Sequence, residues 1–154
     1  MEDQDYSCLR LDNQLCFPLY ACSKEIIKRY KPFLEELDLT YTQYIVMMVL
    51  WEKKEMNVKE LGEHLYLDSG TLTPLLKKLE QKGYITRSRM KTDERNVLIQ
   101  ITQAGEYLKE DAVRIPAAMS ECVRLEPQEA KVLYILLHKI LKQFKEEESQ
   151  TKSD

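Results

Sequence analysis

Apolar positions fall at spacings of three and four along most of the chain, and this period lapses only once. Over residues 12–37 the stripe is Leu15, Leu19, Cys22, Ile26, Tyr30, Phe33 and Leu37, one face of a helix with Asp12 as its N-cap. Pro18 and Pro32 interrupt it, so kinks are expected beside both. Thr40-Tyr41-Thr42-Gln43 has capping-box form and opens a second helix through Ile45, Val46, Val49 and Leu50 to Trp51. Asn57 starts a short helix with Val58, Leu61 and Leu65 inward. After the break at Tyr66-Leu67-Asp68-Ser69-Gly70, a third segment buries Leu72, Leu75, Leu76 and Leu79 and stops at Gly83, just past Lys77, Lys78 and Lys82.

The period then lapses. Residues 85–89 and 97–101 are short runs rich in β-branched side chains, joined by Lys91-Thr92-Asp93-Glu94-Arg95-Asn96, and they read as a hairpin. Thr102 caps the next helix, with Leu108, Ala112, Ile115 and Met119 on one side. A last helix opens at Glu126-Pro127 and turns Leu133, Leu136, Leu137, Ile140, Leu141 and Phe144 inward, with the acidic tail from Glu146 expected to fray. Two short helices joined by a tight turn and followed by a hairpin make a winged helix-turn-helix. The expected fold is therefore mainly α with a two-stranded β-wing, in a single chain over 1–154. Residues 40–101 form the DNA-binding lobe, and 12–38 and 103–145 are dimerisation helices. All four glycines (Gly62, Gly70, Gly83, Gly105) fall inside or at the edges of the central module. The helices beyond it have broad apolar faces and little of their own chain to cover, so an obligate homodimer is expected.

Composition narrows the function. The chain has 154 residues, 44% of them hydrophobic, ordinary for one folded domain. No stretch is long and apolar enough to span a membrane, and the N-terminus is acidic, unlike a signal peptide, so a cytoplasmic protein without membrane partners is expected. A net charge of −3 at first argues against nucleic acid, but residues 77–95 hold seven basic side chains against three acidic ones. That segment carries +4, the remainder −7, and the positive part falls where a phosphate backbone would be met. The candidate contacts to double-stranded DNA, a pseudo-palindromic operator, are Ser69, Thr71 and Thr73 at the start of the recognition helix, then Lys77, Lys78, Arg87 and Arg89. Arg95 at the hairpin tip, held extended by Asp93, is the candidate for the minor groove. Cys8, Cys16, Cys22 and Cys122 include no CxxC pair and stand beside only two histidines, so no metal and no cofactor are expected, and the thiols should be free. No Ser-His-Asp set, paired carboxylates or phosphate-binding glycine loop marks an enzyme.

The segments Leu11-Asp12-Asn13-Gln14-Leu15-Cys16-Phe17, Leu39-Thr40-Tyr41, Tyr66-Leu67-Asp68-Ser69-Gly70-Thr71-Leu72-Thr73-Pro74-Leu75 and Asp93-Glu94-Arg95 resemble the MarR family. Within it they are similar to the thiol-based, peroxide-sensing branch, over residues 9–144. The resemblance implies that Cys16 is the redox sensor, oxidised to sulfenic acid and then capped by a low-molecular-weight thiol or a second cysteine, with release of DNA. It implies that Tyr30 and Tyr41 hydrogen-bond the sensor, with Tyr20 nearby, and that Cys122 lies in the region of a resolving thiol.

Elementary geometry agrees with those roles. Tyr20 is four residues from Cys16 on the same helical face, whereas Tyr30 is about 21 Å along a straight helix and must meet the cysteine of a partner subunit. Phenolic donors stabilise a thiolate without a metal. Oxidation places a bulkier, more polar sulfur at a dimer seam, and tilting one lobe spoils the spacing of two recognition helices. Pro18 departs from the pattern and predicts a kink or a late helix start beside the sensor. Cys22, about a third of a turn from Cys16, is expected in the core. Two other readings stay open on the sequence. One is a regulator of this fold switched by a small aromatic ligand between the dimer helices and the DNA-binding lobe; the other is a thiol peroxidase with Cys16 as nucleophile.

Overall fold

The computed structural model of the protein describes residues 5–151, the side chains of Met90, Asp93, Glu94 and Arg95 excepted. Its helices are α1 (Cys16–Glu36), α2 (Tyr41–Lys53), α3 (Val58–Leu65), α4 (Ser69–Gln81), α5 (Gln103–Ala112), α6 (Ile115–Val123) and α7 (Pro127–Thr151). Its strands are β1 (Glu55–Asn57), β2 (Ile85–Met90) and β3 (Asp93–Ile101). The backbone falls into two compact units, Met1–Pro116 and Ala117–Asp154.

In the first unit, short polar side chains set the helix starts. Thr40 and Gln43 form a reciprocal capping box, the Thr40 hydroxyl accepting from the Gln43 amide and the Gln43 side-chain oxygen from the Thr40 amide at 3.0 Å. Asn57, Asp68 and Thr102 accept from the amides of Glu60, Thr71 and Gly105 at 2.8, 2.8 and 3.1 Å. The first helix starts later than its stripe. Asp12 lies in a 3-10 turn (Leu11–Asn13), and Leu15, which offers no side-chain cap, precedes the first helical residue. A start at Cys16 makes Pro18 the third residue, where no amide is needed for an intrahelical bond, so the proline delays the helix. The helix then continues through Pro32.

The sheet is antiparallel with β3 in the centre and β1 and β2 at its sides. The wing is thus part of three strands, not two; the extra pairing of Glu55–Asn57 is too short to show as a pattern in sequence. The hairpin is also tighter than expected, since only Lys91 and Thr92 lie between the strands. Leu34, Met47, Leu50, Leu61, Leu72, Leu76, Leu79, Ile85 and Ile99 are fully buried and fasten α1–α4 and the sheet into one core. Between α3 and α4 the backbone turns through a left-handed Tyr66 (φ 56°), and the amides of Tyr66 and Leu67 both reach the Gly62 carbonyl. A Cβ at Gly62 would lie 2.7 Å from the Leu67 carbonyl oxygen, so this tight helix-turn-helix requires glycine there.

The helix expected after Thr102 is two helices, α5 and α6, broken at Val113-Arg114. Pro116 removes the amide that would otherwise bond to the Ala112 carbonyl. Arg114, freed at the break, pairs with Glu36 at the end of α1. In the second unit α7 opens at Pro127 as expected but stays helical to Thr151, past the start of the acidic tail. None of its residues is buried: Leu133, Leu136, Leu137 and Phe144 are exposed, and Ile140 and Leu141 half-buried. The face expected to turn inward is left uncovered in the single chain.

Candidate nucleic-acid interface and thiol site

The recognition helix α4 begins at an Asp68 cap whose carboxylate accepts both the amide and the hydroxyl of Thr71, at 2.8 and 2.9 Å. These bonds hold the Asp68 carboxyl below the usual carboxylate range. Ser69, Thr71 and Thr73 are exposed while Leu72, Leu75, Leu76 and Leu79 are buried, so the polar stripe is presented to solvent on a helix anchored from behind. The Thr73 hydroxyl donates to the Ser69 carbonyl at 2.8 Å. Thr71 and Thr73 thus spend their protons locally and turn acceptor lone pairs outward. Pro74 is the sixth residue of α4, in its second turn.

The cations divide into two groups. Lys77, Lys78, Arg89 and Lys91 are exposed. Lys82 is instead tied to the α1–α2 corner, 3.1 Å from the Asp38 carboxylate and 3.5 Å from the buried Gln43 oxygen. Arg87 is held by Glu80 of α4: Nε and a terminal nitrogen donate to one carboxylate oxygen at 2.9 and 2.8 Å, and the Arg87 amide donates to the other at 3.2 Å. Arg87 therefore already has a partner inside the chain. The backbone places Asp93 and Arg95 on β3, beyond the two-residue turn, rather than in a loop at the tip; their side chains lie outside the described residues. A hollow of about 460 Å³ opens among α3, α4 and the wing, lined by Val58, Gly62, Leu72, Leu76, Arg87 and Asn96 among others.

Cys16 is the first residue of α1 and is exposed. The segment before it is fastened by side chains, Asn13 donating to the Ser7 carbonyl at 2.7 Å and Gln14 to the Cys8 carbonyl at 2.6 Å. Tyr20, one turn on, is exposed, with the Lys24 ammonium 5.1 Å from its ring centre. Tyr30 and Tyr41 are brought together, their ring centres 4.9 Å apart. Sequence reasoning missed a third member: Tyr44, buried, lies 5.9 Å from Tyr30 and 6.5 Å from Tyr41, and 6.1 Å from Trp51. Sequence shows only that Tyr44 follows Tyr41 by one helical turn; that it also meets Tyr30 is decided by how α1 and α2 pack. Burial raises all three phenols above their ordinary range, with a neighbouring phenol adding to it for Tyr30 and Tyr44. They are therefore protonated donors at neutral pH.

The chain does not bring Cys16 to its own Tyr30–Tyr41 pair, because fourteen residues of one helix, about 21 Å, separate them. Cys122 is exposed on α6, in the part of the chain belonging to the second unit. Cys22, expected in the core, is exposed as well: its face of α1 is not covered by the chain itself. Among the described residues no cluster of three or more His, Cys, Asp or Glu side chains could hold a metal ion.

Comparison with known proteins bears on this arrangement. A family model described as transcriptional regulator SarA/Rot matches residues 28–112. The organic hydroperoxide resistance transcriptional regulator of Bacillus subtilis is 48% identical over 139 residues, which is 90% of this chain and 95% of that protein. The HTH-type transcriptional regulator SarZ of Staphylococcus aureus is 48% identical over 120 residues, 78% of this chain and 81% of that one. Among solved structures, AbfR of Staphylococcus epidermidis in its reduced, DNA-bound form superposes with a TM-score of 0.74 at 37% identity, covering 90% of this chain and 96% of that one. The overoxidised AbfR–DNA complex gives 0.72 at the same identity, over 90% of this chain and 97% of that one.

Proposed function

Because the chain belongs to the SarA/Rot family of transcriptional regulators, on the MarR-type winged-helix fold, we propose that it is a homodimeric repressor that releases its operator when Cys16 is oxidised. The observation that carries the reading is the pairing of an exposed Cys16 at the start of α1 with a cluster of protonated tyrosines at the far end of that helix. Two antiparallel copies of α1 would set each cysteine against the other chain's Tyr30 and Tyr41. The exposed apolar residues Leu11, Leu15, Leu19 and Ile26, and Leu133, Leu136, Leu137 and Phe144 on α7, supply the surface such a dimer would bury.

In this reading the Cys16 thiolate attacks the O–O bond of a hydroperoxide. Sulfur loses two electrons and keeps one oxygen as sulfenic acid, the leaving alkoxide takes a proton, and an alcohol departs. A second thiol, either a small thiol or Cys122, then displaces water to form a disulfide. Tyr30 and Tyr41 donate to the sulfur, Tyr20 flanks it, and each oxidised form asks more room at the seam than the thiolate. Ser69, Thr71, Thr73, Lys77, Lys78 and Arg89 face the DNA, with Asp93 and Arg95 on the wing. The chain acts where DNA is, in the cytoplasm, and none of its described helices is long and apolar enough to cross a membrane.

The test is a gel shift on a duplex selected from a random pool by the reduced protein, with wild type and Cys16→Ser, before and after organic hydroperoxide, hydrogen peroxide and hypochlorite. Oxidant should release wild type and leave Cys16→Ser bound. Wild type that stays bound after oxidation sinks the sensor reading. Repeating the assay with Cys122→Ser, with and without a small thiol, separates the two capping routes. Sustained peroxide turnover with a reductant, indifferent to DNA, would show an enzyme instead.

A further inference from the structure

We propose that Glu80 and Arg87 are a positioning pair that fixes the angle between the recognition helix and the wing, and that Arg87 serves DNA binding through that angle rather than by touching DNA. The inference rests on the DNA-binding reading above and assigns within it a role that charge counting misses.

Three observations lead to it. First, the contact is threefold: two guanidinium nitrogens and the Arg87 amide all donate to one carboxylate, so the side chain and the backbone of β2 are held at once. Two guanidinium donors on one carboxylate oxygen, with the backbone amide on the other, fix orientation as well as distance. Second, among the described side chains the fully buried apolar residues of the wing reach no farther out than the level of Arg87. Ile85 and Ile99 seal the base of the wing, Ile99 facing Arg87 across the strand pair, and the hollow of about 460 Å³ among α3, α4 and the strands has Arg87 in its wall. Among the described side chains, Arg87 is the outermost hydrogen-bonded link from β2 to α4, four residues short of the turn at Lys91 and Thr92. Third, Glu80 stays ionised, since the Arg87 hydrogen bonds hold its carboxyl below the usual range, so the pair is neutral and adds nothing to the attraction for phosphate. A major-groove helix and a minor-groove wing must engage one duplex together, so a loosened angle between them weakens both contacts.

The experiment measures anisotropy of a fluorescein-labelled duplex, selected from a random pool by the wild-type protein, over a series of salt concentrations. The variants are Glu80→Gln, Arg87→Gln, the double variant and Lys78→Gln. Removing an anion from a DNA-facing lobe should by itself tighten binding; the positioning role instead expects Glu80→Gln to weaken it about tenfold, as does Arg87→Gln. The double variant should be no weaker than either single one, because the two residues act as one unit. Both single variants should keep the wild-type salt slope, whereas Lys78→Gln should lower it by about one. Amide hydrogen exchange of β2 and β3 in the free protein should quicken alike in both variants, a readout that needs no DNA. If wild type binds no duplex, the DNA-binding reading fails, and exchange alone decides the positioning role. Unchanged wing exchange in both variants overturns the proposal. So does a Glu80→Gln variant that binds as well as wild type while Arg87→Gln lowers the salt slope by about one.

Discussion

Tyr30, Tyr41 and Tyr44 differ from the other six tyrosines of the chain in what their protons are worth to the fold. Burial penalises the phenolate and raises each above the ordinary phenol value of 10.0. An acid whose folded value is raised binds its proton more tightly when folded, so the unfolded chain loses protons first as pH rises. The stabilisation is fully present below pH 10 and is lost as pH climbs from there through the folded values. Denaturant midpoints should therefore stay level through neutral pH and fall above pH 10, while tyrosinate absorbance shows a late-titrating group that shrinks in Tyr44→Phe. A single transition shared by all the tyrosines would contradict the burial argument. Thr40 offers a second check at this scale. Thr40→Ala removes one half of the capping box that starts the tyrosine-bearing helix, and should cost about 1 kcal/mol in denaturant unfolding.

Elements are joined where backbones come close. Gly105, in the first turn of α5, has no room for a side chain: a Cβ there would lie 2.3 Å from the Tyr84 carbonyl oxygen and 2.9 Å from Ile101. Its own carbonyl accepts from the Trp51 indole at 2.9 Å, so α2, α5 and the base of the wing meet at one residue. Gly105→Ala must push backbone aside and should cost about 2–3 kcal/mol, read as a lower thermal midpoint. The helix starts at Thr40, Asn57 and Thr102 were legible in sequence because a cap is chemistry between residues three apart; the cap at Asp68 was read only as part of a break. The strand at Glu55–Asn57, the pairing of Arg87 with Glu80 and the meeting of Tyr44 with Tyr30 were not, because each is decided by which elements pack together. Cys22 shows the same limit from another side. A stripe on α1 says which face is apolar but not whether the chain or a second copy covers it. Asp12 failed as a cap because Pro18, six residues on, suited a later start.

For the whole molecule, the uncovered apolar faces are the dominant fact. If a second copy covers them, Leu136→Glu, harmless on the surface of a lone chain, should weaken self-association by about 100-fold, roughly 2.7 kcal/mol, in sedimentation across a concentration series. The DNA-binding unit should remain folded in that variant. A wild type that sediments as a monomer at every concentration would overturn the dimer. The contact of Trp51 with Gly105 has a practical corollary. Trp51 is the chain's single tryptophan, it sits in the first unit beside Tyr44, and residues 117–154 contain one tyrosine and no indole. The protein thus carries one native indole, with the Tyr44 ring 6.1 Å away. Indole emission should therefore report unfolding of the first unit without any attached dye.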